Sequence, residues 1–247
     1  MTSPDDRPVR APDEAATRAP VAPRSSWVNA AFLVDATDRA EIVLVRHGQQ
    51  DIVPGGPHRD TVDPPLSAIG RAQAAAVGVR FSTETFDALY ASPYRRALET
   101  GRAIGAHHGI EPTVRDDLRE VEIFRSLPAG QTLLDRYGED YMLGLRTRMI
   151  RERRWDVYPD SERSFDFRQR VVNQIEAIIH AHPAQRVIVA CHAGVINAYL
   201  AHVVGTDADM WFHPRHTAVN VVWAAGGGRS LRSINDATHL SDDLLTS

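Results

Sequence analysis

The chain has very little cysteine: its 247 residues contain one, Cys191. A single cysteine cannot form an intramolecular disulfide, and it cannot supply a zinc site made of several thiolates. The cysteine content therefore gives no indication of an oxidising compartment, and the cytoplasm is the expected location. Cys191 itself lies in an apolar run, which predicts a buried packing residue rather than a reactive thiolate.

Long apolar runs and an excess of basic residues are also lacking. No run approaches the roughly 20 apolar residues that span a bilayer, and the N-terminus has no apolar stretch of the secretory type, so we expect no membrane partner. The 28 Lys and Arg residues are outnumbered by 32 Asp and Glu, which gives a net charge of -4. Because a general nucleic-acid binder needs the opposite balance, we expect no nucleic-acid partner and a local site for any bound anion.

Hydrophobic residues make up 43% of the chain, which is enough to bury one sizeable core. Residues 1–26 are rich in proline and alanine and have few large apolar side chains, so we predict a disordered tail there. An N-terminal targeting peptide is the alternative, but the acidic residues of this segment fit it poorly. The remaining residues, 27–247, are predicted to form one folded domain.

From Glu41 onward, short β-rich runs alternate with longer helical ones. This alternation is typical of an α/β fold in three layers, with helices on both faces of a mostly parallel sheet. Apolar runs predict strands at 42–45, 87–91, 186–190 and 218–224. Helices are predicted at 67–81, about 92–108 and 165–182, with Ser67 and Ser92 as N-terminal caps. The glycines at 226–228 predict the turn of a terminal hairpin.

Two histidines directly follow predicted strands. His47 comes after the first strand in Arg46-His47-Gly48, and His192 comes after the third in Cys191-His192-Ala193-Gly194. Ligands of open α/β sheets bind outside the carboxyl ends of the strands, so we expect His47 and His192 to converge there. The alternative is that each is a structural histidine, held by its neighbours at a strand end.

Two arginines near these histidines suit an anionic ligand. Arg46 precedes His47, and Arg96 lies in the first turns of the helix predicted after Ser92. A guanidinium group engages phosphate oxygens with two parallel hydrogen bonds and stays charged at any working pH, and phosphoryl transfer needs such cations around a nucleophile. The helix predicted after Ala193 would add free backbone amides. Such a site needs no metal and no cofactor, while structural ion pairs are the alternative role for the two arginines.

Five ordered segments resemble the motifs of the histidine phosphatases and the cofactor-dependent phosphoglycerate mutases. They are Leu44–Gln49; Asp63–Ser67 with Gly70, Gln73 and Ala74; Ala91–Ala97 with Thr100; Leu118–Glu120; and Cys191–Ile196. The resemblance covers most of residues 41–240, and it implies a phosphoglycerate mutase-like fold.

The resemblance also implies a metal-independent phosphomonoesterase that works in two steps. Neutral His47 attacks the phosphorus of a small phosphorylated substrate, and water then hydrolyses the phosphohistidine. Arg46 and Arg96 would bind the phosphate, and His192 would hydrogen-bond the group in transfer.

The same resemblance implies that Glu120 protonates the leaving alcohol. Glu122 is the competing candidate. On an extended segment the two carboxylates would point the same way, and on a helix they would diverge. The sequence does not decide between these conformations.

Departures from the family pattern keep two alternatives open. Gln50 and Val53 stand where the family has a small hydroxyl residue and an asparagine that contacts the phosphate, so either another group replaces this donor or the activity is weakened. A pseudo-enzyme that only binds phosphorylated ligands is therefore one alternative. A phosphoglycerate mutase-type phosphotransferase is the other, but the segment after Glu120 lacks the Tyr-Gly pair of the mutases, which favours a phosphatase.

Residues 124–162 lie where the family inserts a cap over its pocket, so the choice of substrate is expected to depend on them. Several arginines of this segment could bind a further anionic group, but on a helix they would spread around the circumference, which favours a solvated helix. They are Arg146, Arg148, Arg151, Arg153 and Arg154. The natural substrate is left open, as is the oligomeric state, for which a homo-oligomer is one possibility.

Overall fold

The computed structural model describes residues 27–246, so the tail predicted at 1–26 lies outside the described residues. One six-stranded sheet organises the fold. Its strands are β1 (Ala40–Arg46), β2 (Ala88–Ala91), β3 (Thr113–Val114), β4 (Arg186–Cys191), β5 (Val219–Ala225) and β6 (Gly228–Asp236). They are arranged in the order β3-β2-β4-β1-β5-β6. The first four are mutually parallel, whereas β5 runs antiparallel to β1 and β6 antiparallel to β5.

Helices cover both faces of this sheet. They are α1 (Trp27–Ala31), α2 (Arg59–Val62), α3 (Ala68–Phe81), α4 (Arg95–Gly105), α5 (Leu133–Tyr137), α6 (Glu139–Glu152), α7 (Ser164–Ala181) and α8 (Ala193–Val204). Residues of α3 and α4 pack on one face, and residues of α7 and α8 pack on the other. The predicted three-layer α/β/α architecture is therefore confirmed. None of the helices within 27–246 combines the length and the apolar composition that crossing a membrane requires.

The central strand β1 contributes to both apolar layers. Ile42 and Leu44 join the cluster built by α7 and α8, while Val43 and Val45 join the cluster built by α3 and α4. All four side chains are fully buried. Each contributes roughly 1.5–3 kcal/mol of hydrophobic stabilisation. A continuous apolar run is what a parallel strand covered on both faces requires, which explains why this strand could be predicted.

One of the two predicted helix caps is wrong. Ser67 caps α3 as expected, and its Oγ accepts a hydrogen bond from the Gly70 amide at 3.0 Å. Ser92 does not cap α4, because the helix begins only at Arg95 and ends at Gly105 rather than 108. The Ser92 hydroxyl instead lies 2.7 Å from Nε2 of His192. Its partner is thus a residue distant in the chain, and not the helix amide that the local pattern predicted.

The segment predicted to form a cap, 124–162, contains α5, α6 and a small apolar cluster of its own around Phe124, Leu145 and Val157. On its exposed surface, Arg148 and Arg151 both pair with Glu152. This pairing agrees with the solvated-helix interpretation of the arginine-rich run. The role of the segment as a cap stays a prediction.

Candidate active site

The strand pairing of β1 with β4 brings the two predicted histidines together. Arg46 is in register with Cys191, so the residues that follow, His47 and His192, leave the sheet side by side. Their ring centroids lie 5.1 Å apart, and the His47 amide donates to the Cys191 carbonyl at 2.9 Å. Both rings are buried. The convergence expected at the carboxyl edge of the sheet is therefore present.

The protonation of His47 can be assigned from its contacts. Nδ1 lies 2.7 Å from the Gly48 carbonyl, so Nδ1 carries the proton and donates it. Nε2 then holds the lone pair, and it accepts from Nε of Arg96 at 3.2 Å. Burial, helped by Arg96 and His192, holds the pKa of His47 well below its usual range. The ring is thus a neutral imidazole with an oriented lone pair, which is the form that a nucleophile needs.

Two buried guanidinium groups flank His47. Arg46 donates to the Pro214 carbonyl and Arg96 to the Val62 carbonyl. Burial lowers the pKa of both arginines, that of Arg46 to about 10, so both remain cations near neutral pH. Nε of Arg46 is buried and has no hydrogen-bond partner within residues 27–246. Because buried charge is costly unless it is paired, this site favours an anion.

Glu120 lies on a segment that is neither helix nor strand, and α8 holds its carboxylate in place. Oε2 accepts from the Gly194 amide and Oε1 from its neighbour Val121, both at 3.0 Å. Burial lowers the pKa of Arg46 and Arg96, and the charge of Glu120 opposes and so limits that lowering. The expectation that the first amides of α8 stay free for an anion is therefore wrong at Gly194, because a carboxylate already occupies that amide.

Glu122 lies on the same segment, but its side chain faces a different neighbour. Its carboxylate lies 3.7 Å from Nε of Arg119, and its side chain is 38% exposed. The electrostatic effects on Arg46 and Arg96 involve Glu120 and not Glu122. The carboxylate that acts on the two arginines is therefore that of Glu120 rather than that of Glu122.

The sequence pattern of the histidine phosphatase superfamily, branch 1, matches residues 42–237. The chain belongs to this superfamily. Phosphoserine phosphatase 1 of Hydrogenobacter thermophilus is 25% identical over 82% of this chain and 95% of its own length. The metal-independent phosphoserine phosphatase of Arabidopsis thaliana is 29% identical over 81% of this chain and 83% of its own. The crystal structure of a phosphoglycerate mutase from Bacillus anthracis has a TM-score of 0.65 at 18% identity, covering 82% of this chain and 96% of that one.

The family, the fold and the enzyme class predicted from the sequence, a histidine phosphatase, are thus confirmed. In this histidine phosphatase, side chains from two helices hold the loop after His47. Thr100 on α4 accepts from the Gly48 amide at 3.1 Å, and Gln73 on α3 accepts from the Gln49 amide at 2.8 Å. Both residues stand in segments that carry the family resemblance, and they hold the backbone that follows His47.

A cavity of about 540 Å³ adjoins the buried histidines. Arg96 and Glu120 are part of its wall, so it begins where a bound phosphoryl group would end. The rest of the wall comes from the α2 region and from the segment after Glu120, and includes Arg59, Val62, Phe124, Arg125, Leu127 and Trp155. Apolar, cationic and acidic side chains therefore share the lining of this cavity.

Of the two departures from the family pattern, Val53 does not supply the missing phosphate donor, because its side chain is apolar and exposed. The side chain of Val53 is 75% exposed, and Oε1 of Gln50 is buried without a partner among the described residues. Within 27–246, no group of three or more His, Cys, Asp or Glu side chains is arranged to hold a metal ion.

Sequence reasoning missed one histidine of this site. His216 is buried, and its ring centroid lies 5.8 Å from that of His47. It precedes β5, which runs antiparallel to β1 with Val219 opposite Val45. The amino end of an antiparallel neighbour lies at the carboxyl edge of the parallel strands. The antiparallel direction of β5, which the sequence pattern does not reveal, therefore places His216 at this edge.

Proposed function

We propose that this histidine phosphatase hydrolyses phosphate monoesters of small molecules through a phosphohistidine on Nε2 of His47. The observation that carries the proposal is the orientation of the His47 ring. Its Nδ1 proton is committed to the Gly48 carbonyl, and its Nε2 lone pair faces the buried cation Arg96. A neutral nucleophile beside buried cations suits attack on an anionic phosphorus centre.

The first step forms the phosphoenzyme. The substrate phosphate takes over the contact that Arg96 makes with Nε2, and the lone pair of Nε2 attacks phosphorus as the bond to the alcohol oxygen breaks. A proton carried by Glu120 passes to the departing oxygen in this step. Arg46 and Arg96 pair with the phosphoryl oxygens throughout, and they stabilise the charge that develops in the transition state.

The second step regenerates the enzyme. A water molecule attacks the phosphorus of the phosphohistidine, the bond between phosphorus and Nε2 breaks, and inorganic phosphate leaves. The Glu120 carboxylate takes a proton from this water, so that the acid of the first step is the base of the second. Nδ1 of His192, buried and without a partner within the described chain, is available to a phosphoryl oxygen in both steps.

The cavity narrows the choice of leaving group. Its wall combines the apolar side chains of Phe124, Leu127 and Trp155 with the cations Arg59 and Arg125 and with the carboxylates of Glu120 and Glu122. We therefore expect an alcohol that has an apolar part beside its polar or charged groups. Two relatives are named phosphoserine phosphatases, which makes phosphoserine the first natural substrate to test. The cytoplasmic location stays a prediction.

The experiment measures phosphate released from p-nitrophenyl phosphate and from phosphoserine, with a chelator present, between about pH 5 and 8. The wild-type protein is compared with His47→Ala and with His107→Ala, a control at an exposed histidine of the chain. We expect turnover by the wild type and by the control, and none by His47→Ala. Equal activity of all three would exclude His47 as the nucleophile. Binding of phosphate by an inactive wild type would instead support the pseudo-enzyme.

A further inference from the structure

Three buried nitrogen atoms around His47 lack a hydrogen-bond partner within residues 27–246: Nε of Arg46, Nδ1 of His192 and Nε2 of His216. The rings of His192 and His216 lie 5.1 Å and 5.8 Å from the ring of His47, and Arg46 is its neighbour in the chain. Unpaired buried polar atoms are rare in folded proteins and need an explanation. Their grouping around one nucleophile indicates an occupant with several acceptor oxygens.

A hydrogen-bond network assigns the proton on His216. Oε1 of Gln73 accepts from the Gln49 amide, so Nε2 of Gln73 is the donor to the Leu244 carbonyl and to Oγ1 of Thr246, both at 2.7 Å. Oγ1 of Thr246 also lies 2.7 Å from Nδ1 of His216. Besides accepting from Gln73, this hydroxyl has one other hydrogen-bond neighbour among residues 27–246, Nδ1 of His216, and donating its own proton there satisfies both groups. The proton of the imidazole is therefore on Nε2, the atom without a partner.

His216 also keeps one charge state over the working range of pH. Burial and the neighbouring Arg46 lower the pKa of His216 to about 3. His213, the other titratable group that acts on it, lowers that pKa further. The ring is accordingly neutral, and its Nε2–H is a hydrogen-bond donor that adds no charge to a site already holding two cations.

We propose that His216 is a further phosphate-binding residue, whose Nε2–H donates to an oxygen of the phosphoryl group carried by His47. It would take the place of the asparagine donor that the family has and this chain lacks, since Val53 is exposed at that position. Thr246 and Gln73 act as positioning residues, because they fix the tautomer of His216 from the C-terminal segment. This inference rests on the proposed function, which supplies the phosphoryl group.

The test uses orthovanadate, an oxyanion resembling phosphate, as a competitive inhibitor of the full chain. His216→Phe keeps a planar ring but removes the donor, and His216→Asn restores a neutral donor. We expect His216→Phe to raise the inhibition constant about tenfold or more, as the loss of one hydrogen bond to a charged group does. The value of kcat/KM should fall by a similar factor for alkyl and aryl phosphates alike, because the phosphoryl group is common to both. His216→Asn should recover part of each loss.

Two further variants separate a donor from a structural residue. His107→Phe makes the same replacement at an exposed site and should leave both constants unchanged. Thr246→Val keeps the His216 ring but removes the hydroxyl that orients it, so it should weaken vanadate binding by a few-fold. If His216→Phe and His216→Asn lower the melting temperature equally while the inhibition constant of the folded protein stays at the wild-type value, the proposal is wrong.

A spectroscopic measurement gives an answer that does not depend on turnover. In protein with nitrogen-15-labelled histidine, the two-bond proton–nitrogen spectrum should show His216 as the Nε2–H tautomer, and orthovanadate should shift that Nε2–H resonance. An Nδ1–H tautomer, or a resonance that vanadate leaves in place, would overturn the inference. Wild-type protein that binds vanadate in this way but hydrolyses no ester would contradict the proposed function and leave the assignment of His216 standing.

Discussion

Replacing Gly194 by alanine tests the role of Glu120 without changing Glu120 itself. A Cβ at this position would lie 2.2 Å from Oε1 and 3.0 Å from Cδ of Glu120, and 3.3 Å from the ring of Phe167. The φ of Gly194 lies outside the left-handed region, so alanine suits the backbone. Since the atom that must move is the end of a flexible side chain, the clash displaces the carboxyl group rather than the helix.

The expected cost in stability is small. Alanine is favoured over glycine in a helix by about 1 kcal/mol. The lost bond between the Gly194 amide and the carboxylate costs roughly 1.5–3 kcal/mol. The net change in the free energy of unfolding is therefore about 2 kcal/mol at most, and the protein stays folded.

The expected cost in activity depends on the leaving group. A positioned general acid accelerates the reaction by a factor of about 10²–10⁴ when the leaving oxygen needs a proton. An alkyl alcohol needs it, whereas p-nitrophenolate departs largely without it. For Gly194→Ala we expect kcat/KM to fall about a hundredfold with phosphoserine and less than about tenfold with p-nitrophenyl phosphate.

The assay is the ratio of kcat/KM for the alkyl and aryl substrates. It is measured for the wild type, Gly194→Ala, Glu120→Gln, Glu122→Gln and the control Gly144→Ala, whose added Cβ meets nothing within 4 Å. Glu120→Gln should reproduce the change of ratio, and Gly144→Ala should not alter it. Equal losses on both substrates would refute a proton-donating role for Glu120. A changed ratio in Glu122→Gln alone would transfer that role to Glu122.

Three other predictions concern the same core. Burial depresses the pKa of His47, His192 and His216, so the unfolded chain binds more protons than the folded one below about pH 6.5. The free energy of unfolding should therefore fall by about 3–4 kcal/mol from pH 6 to pH 5. Urea titrations that give equal stability at both pH values would contradict this. Gly70→Ala puts a Cβ 2.0 Å from the carbonyl oxygen of Gln49, a backbone atom that a side-chain rotation cannot move away. The melting temperature should therefore drop sharply. An unchanged melting temperature would count against the tight packing of the loop that contains Gln49. Arg96→Lys keeps the charge but loses the planar fork, so kcat/KM should fall at least about tenfold for every substrate; wild-type kinetics would show that the fork is not needed.

The parts of the site that could be predicted follow strands whose neighbours are parallel. His47 and His192 each come directly after an apolar run, and parallel strands bring their carboxyl ends to one edge, so convergence follows from the pattern alone. The direction of β5 does not follow from it. An apolar run at 219–225 has the same composition in either direction, and the direction decides on which edge His216 lies.

Local patterns also cannot show which tertiary partner takes a polar group. Ser92 precedes proline and suits a helix cap, but it directly follows β2 at the same edge of the sheet as His192. Its hydroxyl lies 2.7 Å from Nε2 of His192. Thr246, near the C-terminus, reaches Gln73 on α3 and the ring of His216. These contacts join residues distant in the chain, and no spacing in the sequence records them.

The most direct test of the mechanism is to trap the phosphoenzyme. The wild-type protein is mixed with substrate carrying a radiolabelled phosphate, quenched within one turnover, and digested into peptides. The mechanism predicts a covalent label that is stable in alkali and lost in acid, located on the peptide containing His47 and absent from His47→Ala. Rapid turnover without any covalent label, or a label on another residue, would contradict attack by His47.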